Sequence, residues 1–295
     1  MGTMNTLEIY TGHFKMHERP FTLVPDPDFL FWSPAHKRAH AILEYGIVTR
    51  APITMITGDV GAGKTTLLQH LLRSFDDDIC IGLVSNAQGD RGELLRWVMS
   101  AFDQVIDPSA SYVDMFAAFQ AFLIQQYAAG RRSIVVFDEA QNLSRETLEE
   151  LRMFTNINSN KDELFQIVLV GQPELRDMVM RPDMSQFAQR VAAHYHLTVM
   201  DAETTAQYIH HRLVTAGGAG DIFDEPACRE VFAQSGGVPR VVNQLCDLCM
   251  VYAFANGHRH VTLDTVRQVL DDGVFFAGGM KQDALRLVDP ASGKS

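Results

Sequence analysis

Hydrophobic residues recur along this chain in two rhythms, and the change from one to the other divides it. From Ile53 to Met200, short apolar runs rich in β-branched residues alternate with longer stretches whose apolar positions return every three or four residues. The runs are Ile53-Thr54-Met55-Ile56-Thr57, Ile79-Cys80-Ile81-Gly82-Leu83-Val84, Ser133-Ile134-Val135-Val136-Phe137-Asp138 and Leu164-Phe165-Gln166-Ile167-Val168-Leu169-Val170. A fifth candidate runs from Tyr195 to Met200. Helical spacing covers about 65–74, 90–103, 111–129 and 144–156. Runs without polar alternation mean strands covered on both faces, so the pattern predicts a parallel sheet in a three-layer α/β fold. After Asp201 only the helical rhythm continues, over about 202–216, 225–235, 239–256 and 262–271. Gly217-Gly218 and Gly236-Gly237 separate these segments as helix stops. A small all-helical domain follows the sheet.

Two flanking stretches complete the layout. Residues 1–33 hold Phe14, Pro20, Phe21, Pro25, Pro27, Phe29, Phe31 and Trp32, a mix that predicts an extended arm laid against the body. Ser33 then caps a helix that Pro34 opens and that runs to about Val48, with Ala39, Ile42, Leu43, Gly46 and Ile47 on one face. Residues 273–295 carry Gly, Pro and Ser with little periodicity and are expected to be loose. The expected partition is an arm and helix over 1–50, an α/β domain over 51–200, a helical domain over 201–272 and a tail over 273–295.

Composition narrows the classes. With 46% hydrophobic residues in 295, the chain has enough apolar material for a large core. No window approaches the roughly 18 apolar residues of a membrane span, and the amino terminus lacks a signal pattern, so a cytoplasmic protein is expected. The cysteines Cys80, Cys228, Cys246 and Cys249 form no disulfide framework. Cys246 and Cys249 have C-x-x-C spacing, but they lie within the apolar run Val241 to Phe254 and read as core. The net charge of −11 counts against a protein that grips a nucleic-acid duplex through its phosphates.

Chemistry concentrates at strand ends. Gly58-Asp59-Val60-Gly61-Ala62-Gly63-Lys64-Thr65-Thr66 has the spacing of a loop that wraps backbone N–H groups around a nucleotide's phosphates, follows an apolar strand and opens a helix. Lys64 would reach the outer phosphate oxygens, and Thr65 would meet Mg2+. Asp138-Glu139 ends the third strand, where open α/β sheets hold ligands. Asp138 would hold the metal through water and Glu139 would polarise an attacking water. Gln172, after the fourth strand, could touch the γ-phosphate or that water. Phosphoryl transfer also profits from an arginine, and Arg240, opening a helix in the second domain, and Arg190, ahead of the fifth strand, are the best placed, with Arg176 and Arg181 in reserve. His194-Tyr195-His196 could present two imidazoles on one side of a strand, without an evident third ligand.

Together these residues resemble the AAA+ ATPase superfamily, and within it the general secretion pathway protein A-like ATPases. The resemblance rests on Arg19-Pro20-Phe21-Thr22-Leu23-Val24-Pro25-Asp26-Pro27-Asp28-Phe29-Leu30, Glu44-Tyr45-Gly46-Ile47, Thr57 to Thr66, Phe137-Asp138-Glu139-Ala140-Gln141-Asn142-Leu143, Leu169-Val170-Gly171-Gln172-Pro173-Glu174-Leu175 and Gly236 to Arg240. It implies a P-loop NTPase core with a helical lid, ATP and Mg2+ at the site, and ATP hydrolysis. It makes Arg240 similar to the lid's sensor arginine, puts Gln172 at the first sensor position, and puts Arg190 near the finger that completes a neighbour's site in a ring or filament. It also implies a protein partner in an envelope assembly serving secretion, pilus formation or polysaccharide export, through which a cytoplasmic protein could lie peripheral to the inner membrane. Transposition helper ATPases share the same core, so an ATP-dependent DNA-binding adaptor is the alternative.

Overall fold

The four apolar runs and one edge strand form one sheet. The structure, a computed structural model, describes residues 10–75, 78–85, 93–159 and 162–276. Its elements run α1 (Pro34–Val48), β1 (Ile53–Gly58), α2 (Lys64–Arg73), β2 (Ile79–Ser85), α3 (Glu93–Ala101), α4 (Tyr112–Ala128), β3 (Arg132–Asp138) and α5 (Arg145–Phe154). The two-residue strands β4 (Asn158–Ser159) and β5 (Asp162–Glu163) follow, then β6 (Phe165–Gly171), α6 (Pro173–Val179), α7 (Ser185–Ala188) and β7 (Val191–Leu197). The chain ends its described part with α8 (Ala202–Thr215), α9 (Glu225–Ser235), α10 (Pro239–Ala255) and α11 (Leu263–Asp271). All pairs in the sheet are parallel, in the order β2-β3-β6-β1-β7.

Alternate residues of each central strand feed two separate cores. Val135, Phe137, Ile167 and Leu169 face α3, α4 and α5 through Leu94, Val98, Phe119 and Leu151. Ile134, Val136, Val168 and Val170 face α1 and α2 through Ala39, Leu43, Leu67 and Leu71. Both faces are apolar because helices cover both, which is why the strands read as unbroken runs. Local chemistry starts the helices: Ser33, Ser111 and Ser144 accept hydrogen bonds from the backbone N–H three residues on, as do Asp201 and Asp224.

The fifth strand lies earlier than expected, at Val191–Leu197 rather than 195–200. It sits at the sheet edge, and only Ala193 and Leu197 are buried, so it lacks the apolar run that marks the others. Pairing fixes its register, with Val191 opposite Ile53 and Leu197 opposite Gly58. The β4–β5 pair between α5 and β6 has no apolar signal at all. Residues 90–92 of one expected helix, and residues 277–295 of the expected tail, lie outside the described residues.

The described chain divides into two compact units, one of residues 23–200 with Val238–Arg240, the other of residues 10–22, 201–237 and 241–276. The arm therefore divides at Thr22. In the helical unit the arm is anchored by polar contacts as well as by burial of Tyr10, Phe14 and Phe21. The Tyr10 hydroxyl and the Arg19 guanidinium both donate to Asp247 of α10, and Arg212 of α8 donates to the Pro20 carbonyl. Asn243 donates to the Thr22 carbonyl at 3.0 Å while accepting from the Tyr208 hydroxyl at 2.8 Å. Cys228, Cys246 and Cys249 are buried free thiols here, and burial pushes all three up in pKa, Cys228 to about 11. They act as small core residues.

In the α/β unit, α1 approaches β1 so closely that a methyl group on Gly46 would meet the Thr54 hydroxyl. Gly46→Val is expected to lower the unfolding free energy by about 1–3 kcal/mol, the usual range for overpacking. An unchanged urea midpoint would show that α1 does not rest on Thr54.

Candidate nucleotide site

Glycines shape the loop between β1 and α2. Gly61 and Gly63 have positive φ, +78° and +91°, a conformation that L side chains rarely adopt. Gly61 has no room either: a Cβ there would lie 2.7 Å from Arg240 Cβ and 3.2 Å from Val238 Cγ1. Gly58 is held by its neighbour strand, since a Cβ would lie 2.5 Å from the Leu197 carbonyl oxygen. A loop so constrained brings its backbone to the start of α2, a place that suits phosphate, with the Ala62 N–H already given to the Asp59 carbonyl at 3.2 Å.

Lys64, the first residue of α2, is buried and donates from Nζ to the carbonyls of Gly58 at 2.7 Å and Asp59 at 2.9 Å. Burial lowers its pKa, against the opposing pull of Glu139, Asp138, Asp59 and Glu174. The next residue, Thr65, donates to Asp138 Oδ2 at 2.9 Å and so joins α2 to the end of β3. Burial raises the Asp138 pKa, while the Thr65 hydroxyl and the Glu139 N–H stabilise its anion. Asp59 and Val60 are exposed on the loop; Ala62 is buried and Thr66 half-buried.

Glu139 takes a left-handed backbone conformation at φ 56°, uncommon for a residue with a side chain. Burial pushes its pKa up, but hydrogen bonds from Gln141 and Gln172 and the Lys64 charge outweigh it, leaving it below the ordinary value. Gln172 reaches Glu139 Oε2 from Nε2 at 3.1 Å. Lys64, Thr65, Asp138, Glu139 and Gln172 are thus gathered at the carboxyl ends of β1, β3 and β6. A hydroxyl and a carboxylate in direct contact, beside a lysine and a second carboxylate, match the oxygen ligands that Mg2+ takes when it also holds substrate phosphates.

The arginines separate. Arg240 donates its backbone N–H to the Gly61 carbonyl at 3.3 Å, so its main chain lies against the loop. Arg190 stands at the opposite end of the sheet, just before Val191, and donates to Asn156 Oδ1 at 2.5 Å. Six strand residues at ~3.3 Å each put it roughly 20 Å from the loop of its own chain. Arg176 and Arg181 pair with Asp177 and Asp183. His194 and His196 both meet the Thr57 hydroxyl, at 3.1 and 3.0 Å. Among the described residues no group of three or more His, Cys, Asp and Glu could hold a metal ion by itself.

Two residues at the site were given no role from the sequence. His36 of α1 is buried, with Nδ1 2.8 Å from Ser33 Oγ and its ring against the loop, hydrogen-bonded to the Ala62 backbone. A Cβ on Gly63 would lie 2.9 Å from its Nε2. Gln141 bonds to both Glu139 and Gln172. Either contact depends on folding, and only the Ser33-x-x-His36 spacing at a helix start hints at one.

Residues 48–179 match the AAA domain family. The chain is 35% identical over 279 residues to general secretion pathway protein A of Aeromonas hydrophila, an alignment that covers 92% of this chain and 51% of that protein. It therefore spans about half the length of the curated relative it matches. Among solved structures, Cdc6p of Pyrobaculum aerophilum superposes with a TM-score of 0.66 at 16% identity, over 89% of this chain and 74% of that one. Drosophila ORC bound to DNA gives 0.66 at 12% identity, over 94% and 69%. At such identities the two structures speak for the fold alone. No described helix is long and apolar enough to cross a membrane.

The buried His36 gives a pH test of the loop's support. Burial lowers its pKa below the ordinary value of about 6.5, so the unfolded chain takes up the proton first as pH falls. Its contribution to stability is complete above that pH and is lost below it. In urea titrations, wild type is expected to lose stability more steeply between about pH 7 and 5 than His36→Gln does. Parallel pH curves would mean that the ring is not held neutral against the loop.

Proposed function

We propose that the chain, which matches the AAA domain family over residues 48–179 and is similar to general secretion pathway protein A, is a Mg2+-dependent ATPase that oligomerises through nucleotide and assists assembly or positioning of an envelope complex. The observation that carries this reading is the contact of Thr65 with Asp138 beside Lys64 and Glu139. Backbone N–H groups of residues 58–66 and the Lys64 ammonium hold the phosphates. Thr65 and Asp138 hold Mg2+, which when bound offsets negative charge on the transferring phosphoryl group. Glu139 accepts a proton from the attacking water, and Gln172, bonded to that carboxylate, touches the γ-phosphate or the water. Arg240 reaches the phosphates of its own chain. Arg190, far from its own loop, acts on the site of a neighbouring copy.

The envelope role is supported by the name of the Aeromonas relative, matched across nearly the whole of this chain. Its place is the cytoplasmic side of the inner membrane, reached through partners. The net charge of −11 counts against the alternative of an ATP-dependent DNA adaptor, which would show as a salt-dependent DNA shift with a non-hydrolysable ATP analogue.

Two variants test the reading together. Glu139→Gln is expected to bind ATP within a few-fold of wild type, to accumulate the assembled species in mass measurements, and to lose about 10²–10⁴-fold in turnover. Mixed with Arg190→Ala, it is expected to regain part of that turnover, since each variant supplies what the other lacks. No recovery at any ratio would remove Arg190 from a shared site. An undiminished Glu139→Gln rate would remove Glu139 from the chemistry.

A further inference from the structure

Gln141 lies in a single turn, Ala140–Asn142, immediately after Glu139, and both ends of its amide are engaged. Its Nε2 donates to Glu139 Oε2 at 2.6 Å, and its Oε1 accepts from the Gln172 backbone N–H at 3.0 Å. Gln172 closes the circuit by donating from its own Nε2 to the same Glu139 oxygen at 3.1 Å. Two amide donors thus converge on Oε2, and among the described residues none donates to Oε1.

The space for this arrangement is built in from the other strand. A Cβ on Gly171 would lie 2.8 Å from Leu175 Cδ2, 3.1 Å from Gln141 Oε1 and 3.2 Å from Gln141 N, so Gly171 leaves room for the amide and for Leu175 alike. The stretches Asp138-Glu139-Ala140-Gln141 and Gly171-Gln172 therefore fit one another through Gln141. Glu139 also needs such support, because its left-handed backbone is one that surrounding contacts must hold in place.

We propose that Gln141 is a positioning residue for hydrolysis, fixing the Glu139 carboxylate so that Oε1 is the oxygen left to receive a proton and tying it to the main chain at Gln172. The role rests on the ATPase reading above. In the step it serves, the water oxygen bonds to the γ-phosphorus as the bond to the β,γ-bridging oxygen breaks. The bonding pair leaves with ADP, and the water's proton passes to Glu139 Oε1. Gln141 exchanges no proton, and it contributes orientation alone. A carboxylate without it could rotate and offer either oxygen, and small misplacements of a reacting group cost about 100-fold in rate.

The test is steady-state ATP turnover with purified full-length variants. Gln141→Leu keeps the volume and removes both hydrogen bonds; kcat is expected to fall about 100-fold while KM and the affinity for a fluorescent ATP analogue stay within about twofold. Gln141→Asn, which keeps an amide but is one methylene too short to bridge both partners, is expected to show the same split and guards against a Gln141→Leu protein that fails to fold. Because Gln141 acts through Glu139, adding Gln141→Leu to Glu139→Gln is expected to change the residual rate by less than about twofold. An active wild type with kcat unchanged in Gln141→Leu, or with losses that multiply in the double variant, would overturn this role and leave the ATPase reading standing. A wild type that binds nucleotide without turnover would overturn both.

Discussion

Parallel pairing of β1 with β6 and of β6 with β3 is the constraint on which the rest of the site depends. Thr57 lies opposite Gly171, and Phe137 lies opposite Leu169, so three strands end at the same level. Lys64, Asp138 and Gln172, distant in the chain, are delivered to one place by main-chain hydrogen bonds that are individually modest, at about 1 kcal/mol each. Register is protected by burial on both faces. A slip of one residue would exchange Val136 with Val135 and Phe137 across the sheet and move every core side chain to the wrong layer.

Electrostatics at that edge is a balance of opposed burial effects. Burial disfavours the Lys64 cation and the Asp138 anion alike, yet each lies in the field of the other. Glu139 is drawn the opposite way, to a lower pKa, because Gln141, Gln172 and Lys64 favour its anion over its burial. Lys64 is the cation facing Asp59, Asp138, Glu139 and Glu174, so a triphosphate would add negative charge to an already acidic surround. A divalent cation held by Thr65 and Asp138 would answer that excess, which is the physical reason for proposing Mg2+ with the nucleotide.

Much of this could be read from the sequence, for a physical reason. Gly58 to Thr66, Asp138-Glu139 and Gly171-Gln172 are contiguous, and each follows an apolar run whose strand assignment needs only the two-sided burial of a parallel sheet. The glycine requirement at 61 and 63 is likewise a local matter of backbone sterics. What escaped was set by contacts between distant residues. His36 meets Ala62 across more than twenty residues, Gln141 meets Gln172 across thirty-one, and the arm meets Asp247 across more than two hundred. The edge strand β7 was displaced for a related reason: its position follows from pairing with β1, and its half-exposed residues carry little apolar signal. Arg190 was legible as a residue type, but its distance from its own loop emerges only once β7 is placed.

We propose that the loop ending in Lys64 supports Mg2+-dependent ATP hydrolysis. Phosphate release by the wild-type protein, measured against Lys64→Ala with Mg2+ present and with Mg2+ chelated, tests it most directly. Wild type is expected to release phosphate steadily only with Mg2+, and Lys64→Ala none above background. Equal release by the two proteins would contradict it.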